Sequence, residues 1–295
     1  MRPLTRLQKL MGHALLVAVC FLFVVPFAWL ITTSLQPDSE RSKNIPPALI
    51  PGTMSMVKSA EKATGMHLLY RPTTTQYVKG LTRVPVPLFL RNTVFICLLT
   101  VIGTLLSCSL AAYAFSILRW KGRDACFFVL LATMMLPPQV TMVPCFVIWK
   151  KFHLIDTFFP LIVPFFLGIP FYIFLFRQFF LTIPRSFVEA ARIDGAGEFR
   201  IWATLILPLS TPALATVGLF SFLGAWNDYL YPLIYLANQD NYTLSLGLAM
   251  FRTQYGGDYG QMMAVAALMT VPIVVLFFFA QKTFIQGIKT SGLKG

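Results

Sequence analysis

Acidic side chains are scarce in this chain: 11 Asp and Glu stand against 24 Lys and Arg in 295 residues, with only three histidines. His13, His67 and His153 lie far apart, and no HExxH run is present, which removes the usual zinc-hydrolase reading. No convergent Ser-His-Asp set is visible, so no catalytic residue and no metal ligand is assigned. There is no GxxxxGK[ST] phosphate loop, so the chain is not expected to hydrolyse ATP by itself. The five cysteines (Cys20, Cys97, Cys108, Cys126, Cys145) show no CxxC spacing and sit in or beside apolar runs, as packing thiols do. Charge of either sign amounts to 12% of residues, too little for the surface of an ordinary soluble domain, in which about 25% is charged.

What the chain has instead is hydrocarbon: 57% of residues are hydrophobic and the mean hydropathy is +0.71. Six apolar segments are each long enough to cross a bilayer, at about 12–33, 90–117, 125–147, 158–180, 209–234 and 262–284. The expected organisation is a short N-terminus (about 1–11), a six-helix membrane domain (about 12–284) and a tail (about 285–295). Within the domain, a polar external segment covers about 34–89, a loop about 181–208 and an external loop about 237–261. Arg2, Arg6 and Lys9 precede the first apolar run; no small-x-small cleavage site follows it, so it reads as a retained helix rather than a cleaved signal.

The net charge of +13 invites a nucleic-acid partner, but the cations are scattered through loops flanking the membrane segments. With the N-terminus inside, thirteen Lys and Arg fall in inside segments, and the short outside loops hold only Lys150, Lys151 and Arg252. Both termini and the 181–208 loop are therefore expected in the cytoplasm. No nucleic-acid partner is expected.

A polar island interrupts the apolar runs at Glu189-Ala190-Ala191-Arg192-Ile193-Asp194-Gly195-Ala196 and runs on to Leu207-Pro208. Ser186 and Glu189 have capping-box spacing, which predicts that Ser186 accepts from the Glu189 amide. Gly195 supplies a left-handed stop. The expected shape is a helix of about two turns lying on the membrane surface, then a second helical stretch over about 198–205, with Pro208 opening the fifth span. Ala190, Ala191, Gly195 and Ala196 permit close backbone approach, while Glu189, Arg192 and Asp194 offer charge. An amphipathic connector of no further purpose is the plain alternative.

These residues resemble the permease subunits of bacterial ABC importers, whose pattern is Glu-Ala-Ala, three residues, Gly, nine residues, then aliphatic-x-Leu-Pro. Here it reads Glu189-Ala190-Ala191, Gly195, Leu205, Leu207-Pro208, with Leu205 in place of the usual Ile. The run Trp226-Asn227-Asp228-Tyr229-Leu230-Tyr231-Pro232-Leu233, the loop Gln254-Tyr255-Gly256-Gly257-Asp258-Tyr259-Gly260 and the Lys294-Gly295 end extend the likeness to the carbohydrate-uptake branch, in particular to the smaller maltose-type permease. The resemblance implies an all-α membrane protein with the type I importer permease fold, in the bacterial cytoplasmic (inner) membrane. It implies a second permease subunit as heterodimer partner, two ATPase subunits that bind the ATP and Mg, an external solute-binding protein and a carbohydrate substrate. It further implies that Glu189, Ala190, Ala191, Asp194, Gly195 and Ala196 dock in the ATPase, and that Gln254, Tyr255, Gly256, Gly257 and Asp258 meet the binding protein. In this reading the chain carries no cofactor of its own and is not an enzyme.

Asp228 and Asn227 lie in an otherwise apolar segment, where a polar or ionisable group marks a pathway by default. With Phe222, Trp226 and Tyr229 they suit a sugar, which presents C–H faces and hydroxyls together. An interfacial aromatic belt explains the same residues. With the eight Lys and Arg of 34–91 counted, the outer side has 11 basic against seven acidic residues, which leaves an anionic saccharide or sugar phosphate open beside a neutral oligosaccharide. An ion-coupled secondary transporter is the alternative, although no internal repeat is apparent.

Overall fold

The computed structural model describes residues 6–38, 50–51, 69–253 and 258–292. The described residues are helical almost throughout. Among them, four stretches are long and apolar enough to cross a membrane: Gln8–Ser34, Val86–Ser116, Phe159–Phe180 and Tyr259–Phe279. Two bent pairs bring the number to six if each counts as one span. Two compact units divide the chain, Met1–Val86 with Gly247–Pro272 and Pro87–Leu246 with Ile273–Gly295.

In the first unit, α1 (Arg6–Ser34) carries Pro26 inside it and exposes Leu15, Phe21, Leu22 and Phe23, as a lipid-facing helix does. Its end is fastened to α2 (Thr75–Arg83), an element the sequence reading did not anticipate in the polar 34–89 segment. The Tyr70 hydroxyl donates to the Thr32 carbonyl, Ser34 and Tyr77 share a hydrogen bond of 2.7 Å, and Gln76 Nε2 donates to Gln36 O and Asp38 Oδ1. The segment also contributes a two-residue parallel ladder, with β1 (Ile50–Pro51) paired to β2 (Leu69–Tyr70). Gly80 lets α2 approach α13 (Tyr259–Gly292): a Cβ there would lie 3.0 Å from Val265 Cγ2.

The second unit is built round α3 (Val86–Ser116). Gly103 admits the Phe166 ring, which a Cβ would meet at 2.5 Å. Phe166 ends α6 (Phe159–Phe166), and α7 (Pro170–Phe180) follows after a break at which Gly168 takes φ +92°. Cys108, Ala112, Ile173, Phe176, Phe180, Ala213 and Val217 are buried together, joining α3 and α7 to α10 (Thr211–Trp226).

The third expected span, about 125–147, is not one straight rod. α4 (Arg123–Thr133) and α5 (Pro138–Lys151) meet at 93°. Pro137 and Pro138 are the cause, because each pushes the residue before it out of the helical region. The expected fifth span is likewise divided. α10 stops at Trp226, and α11 (Leu230–Tyr235) begins a separate helix.

Beyond α5, the loop to α6 is pinned by Asp156. Its carboxylate Oδ1 accepts from the amides of Ala237 and Asn238, each at 2.9 Å, and Asn241 Nδ2 donates to the Asp156 carbonyl at 2.8 Å. Asp156 has φ +64°, a conformation that Asp tolerates better than bulkier residues. Burial pushes its carboxyl up, and the amides of Asn238 and Ala237 with the Asn241 side chain outweigh that and hold it below the usual carboxylate range.

Candidate functional site

The polar island folds as two short helices joined by a tight turn. α8 (Arg185–Ile193) begins after Pro184, and the expected capping box does not form. The helix starts two residues earlier than that box requires, so Ser186 lies inside the first turn and no side chain caps the end. The other terminus behaves as expected. Gly195 takes φ +79°, and the Ala196 amide donates to the Ala191 carbonyl at 3.0 Å, the long bond of a Schellman close. No atom crowds a Cβ at Gly195, so only its backbone conformation demands glycine there.

α8 presents one side inward and the other outward. Val188 is buried, at 2% exposure, and Ala191 packs beside it on the α3–α7 core. Glu189, Ala190, Asp194 and Gly195 are exposed, and Ala196 is half-buried. The outward side also carries Phe187 and Ile193, and Phe199 is exposed on the helix that follows Gly195. Ile193 is 86% exposed, which is unusual for so apolar a residue at the end of a helix. The sequence reading missed these three, since it weighed the small and charged residues only. Their signal is apolar side chains away from the buried Val188 position, Phe187 and Ile193 on α8 and Phe199 on the helix after it.

α9 (Glu198–Leu209) follows, wound as a π-helix over Trp202–Ile206. Pro208 explains the widened turn: it has no N–H to give the Thr204 carbonyl, and the Leu207 amide donates instead to Trp202. Pro208 thus closes α9 and does not open the next span. α10 starts at Thr211, bent 84° from α9.

A polar clamp joins these elements. Arg192 on α8 meets Glu198 on α9 in a two-pronged pair, Nε to Oε1 at 2.8 Å and Nη2 to Oε2 at 3.2 Å. Tyr113, buried on α3, donates its hydroxyl to Glu198 Oε2. Arg192 is therefore engaged within the loop, not offered outward as a charge. The consequence is mechanical: a displacement of α8 is felt by Glu198 and so by the membrane helix that carries Tyr113.

The second predicted cluster is only partly convergent. A cavity of about 240 Å³ is lined by Thr93, Ile96, Phe165, Asp228, Tyr231 and Thr243, among others, and Asp228 is the one member of the predicted set that reaches it. Trp226 is 2% exposed and stacks on Phe222 with ring centres 5.3 Å apart, which makes it packing. Asn227 donates back to the Leu223 carbonyl, and Tyr229 is 43% exposed outside the cavity. Asp228 Oδ1 accepts from the Tyr231 amide at the start of α11, and its carbonyl accepts from Ser245.

The expected external loop over about 237–261 is mostly not a loop. Its middle is α12 (Leu244–Thr253), with Leu244, Leu246, Met250 and Phe251 buried. Gln254, Tyr255, Gly256 and Gly257 lie outside the described residues. Asp258 accepts from Gln261 Nε2 at 2.6 Å and lies 3.5 Å from Arg83, so it closes the start of α13.

Comparison with known proteins gives the family and the fold. Residues 87–290 match the family of binding-protein-dependent transport system inner membrane components. The chain is 32% identical over 281 residues to the arabinooligosaccharides transport system permease protein of Halalkalibacterium halodurans, covering 94% of this chain and 93% of that one. It is 30% identical to the lactose transport system permease protein of Rhizobium radiobacter, covering 96% and 95%. It is also 30% identical to the sn-glycerol-3-phosphate transport system permease protein of Rhizobium meliloti, covering 96% of each. In fold it is similar to a chain in the crystal structure of a bacterial ABC transporter involved in the import of the acidic polysaccharide alginate, with a TM-score of 0.75, 22% identity, and 96% of this chain and 100% of that chain covered. The chain belongs to the binding-protein-dependent transport system inner membrane component family.

Proposed function

We propose that this chain is one of two permease subunits in an ATP-driven importer of sugars or oligosaccharides, and that the α8–α9 loop is where a partner ATPase drives it. The observation that carries this reading is the build of α8. Its inner side is locked to the core through Val188 and Ala191, while its outer side offers small residues for close approach and two exposed apolar ones, Phe187 and Ile193, for burial, with Phe199 exposed on α9 beside them in sequence. Two ATPase subunits would bind the ATP and Mg, and an external binding protein would deliver the substrate. The permease chain itself does no chemistry. Both termini and the 181–208 loop face the cytoplasm, as the bias of Lys and Arg supports.

The carbohydrate class rests on the relatives' names together with the cavity below Asp228. That cavity has an apolar wall with a carboxylate and two hydroxyl-bearing threonines on it, groups that suit C–H faces and hydroxyls. One of the relatives carries a sugar-alcohol phosphate, so a phosphorylated cargo stands beside the neutral oligosaccharide. Asp228 disfavours the phosphorylated one, because a carboxylate facing a phosphate is repulsive.

The test is made on the assembled transporter in proteoliposomes. Glu189→Lys and Gly195→Val are each expected to abolish uptake and to reduce capture of the ATPase subunit by the permease pair. Unchanged uptake and capture in both variants would sink the proposal.

A further inference from the structure

We infer that the turn between α3 and α4, together with the start of α8, forms a binding site for the headgroup of an anionic phospholipid. A cavity of about 420 Å³ there is lined by Arg119, Trp120, Gly122, Arg123, Asp124 and Arg185. This is room for many times the ~30 Å³ that one water occupies in the liquid. A smaller cavity of about 120 Å³ shares Arg119 and Arg185 and is lined as well by Arg192 and by one carboxylate, Glu189.

The charge in the larger cavity is unbalanced. Asp124 is its one acidic lining group, and it is already held by Arg123 at 3.0 Å and by Arg177 at 3.8 Å. Arg119 and Arg185 have no acidic partner among the described residues. Two guanidinium forks facing one cavity match the oxygens of a phosphodiester.

The wall is held in shape. Trp120 folds back to donate Nε1 to the Ala114 carbonyl at 3.1 Å, and Gly122 takes φ +87° to turn the chain. Arg123 reaches back to the Leu118 carbonyl at 3.3 Å. Arg177 is fixed between the Phe115 carbonyl at 3.1 Å and the face of Phe127 at 4.1 Å. The basic groups therefore sit on a built turn and not on a frayed loop.

A lipid, rather than a soluble phosphate, fits the surroundings. Trp120 is 41% exposed at the boundary between a membrane span and the polar turn, the place where indoles sit at headgroup depth. α4 leaves the cavity with Phe128 and Val129 at 73% and 62% exposure about one turn along, an apolar surface on which an acyl chain can lie. A cationic cavity beside an exposed apolar helix is the arrangement expected of a specific lipid site. The reading rests on the proposed sidedness only for which leaflet supplies the lipid.

Native mass spectrometry of the full chain, with phosphatidylglycerol and phosphatidylcholine of matched acyl chains, tests it without reference to sidedness. Wild type is expected to retain phosphatidylglycerol preferentially. Arg119→Gln/Arg185→Gln should lower that preference by about fivefold or more, the loss expected for removing cations from an anionic surface. Arg119→Lys/Arg185→Lys should keep part of the preference, and Lys150→Gln/Lys151→Gln should leave it unchanged. Matching thermal unfolding of the variants separates lost binding from lost folding. An unchanged preference in the double Gln variant, or no preference in wild type, overturns the site. Displacement of the lipid by inorganic phosphate assigns the cavity to a soluble anion and overturns the lipid reading. Reduced capture of the ATPase subunit with an intact lipid preference assigns the surface to the partner protein, which overturns it as well.

Discussion

Asp156 shows how much a single polar side chain can organise outside the membrane. It gathers two backbone amides from 237–238, and its own carbonyl takes the Asn241 amide group, so two loops distant in sequence become one corner. Asp156→Ala would hand two exposed amides over to water and is expected to lower stability by about 0.5–1.5 kcal/mol. The carboxyl's folded value is depressed, so its contribution is present above the unfolded value of about 3.9 and fades as pH falls through the lower folded value. Wild type should therefore lose an acid-side stability increment that Asp156→Ala lacks; parallel melting curves against pH would contradict this. The Asn241-Tyr242-Thr243 sequence looks like a glycosylation acceptor when read alone, yet here the Asn241 side chain is used inside this corner.

Elements were legible in the sequence where one residue dictates the backbone. Gly195 had to end α8, and the six apolar runs had to be helices, because both conclusions follow from local chemistry. Legibility failed where neighbours decide. The Ser186 capping box lost to a helix that starts at Arg185, and Pro208 moved the expected entry of the fifth span to Thr211. The aromatic cluster near Asp228 looked like a sugar platform because sequence spacing cannot tell which ring faces a cavity; Trp226 faces Phe222. The Arg192–Glu198–Tyr113 clamp was also invisible, since its third member lies 85 residues before its second. The clamp predicts a dynamic effect on α8. In Arg192→Gln the amides of 185–194 should exchange hydrogen faster than in wild type while those of 123–133 are unaffected. Equal exchange in both segments would show that the clamp does not hold α8.

At the scale of the whole molecule, the proposed importer has to join an outer pathway to an inner motor. The distribution of Lys and Arg predicts an orientation, so in an otherwise cysteine-free chain Lys121→Cys should label from the cytoplasmic side and Lys151→Cys from the opposite side with an impermeant thiol reagent. Exchanged sides would reverse the topology, and labelling of both from one side would show that 123–151 does not cross the membrane. The family membership places the chain in an importer; on the proposed reading the drive enters at the α8–α9 loop, and the clamp is its path to α3. The exposed half of the clamp, Arg192 with Glu198, is worth only about 0.2–1 kcal/mol in stability, so its loss should leave the protein folded. That makes it a clean probe of transmission. The decisive measurement is the amount of substrate moved per ATP hydrolysed by the reconstituted transporter carrying Arg192→Gln, which removes the exposed pair and leaves the Tyr113–Glu198 bond in place. The ATPase subunits should still bind and hydrolyse ATP while substrate moved per ATP falls by at least about threefold; an unchanged ratio would contradict transmission through this loop.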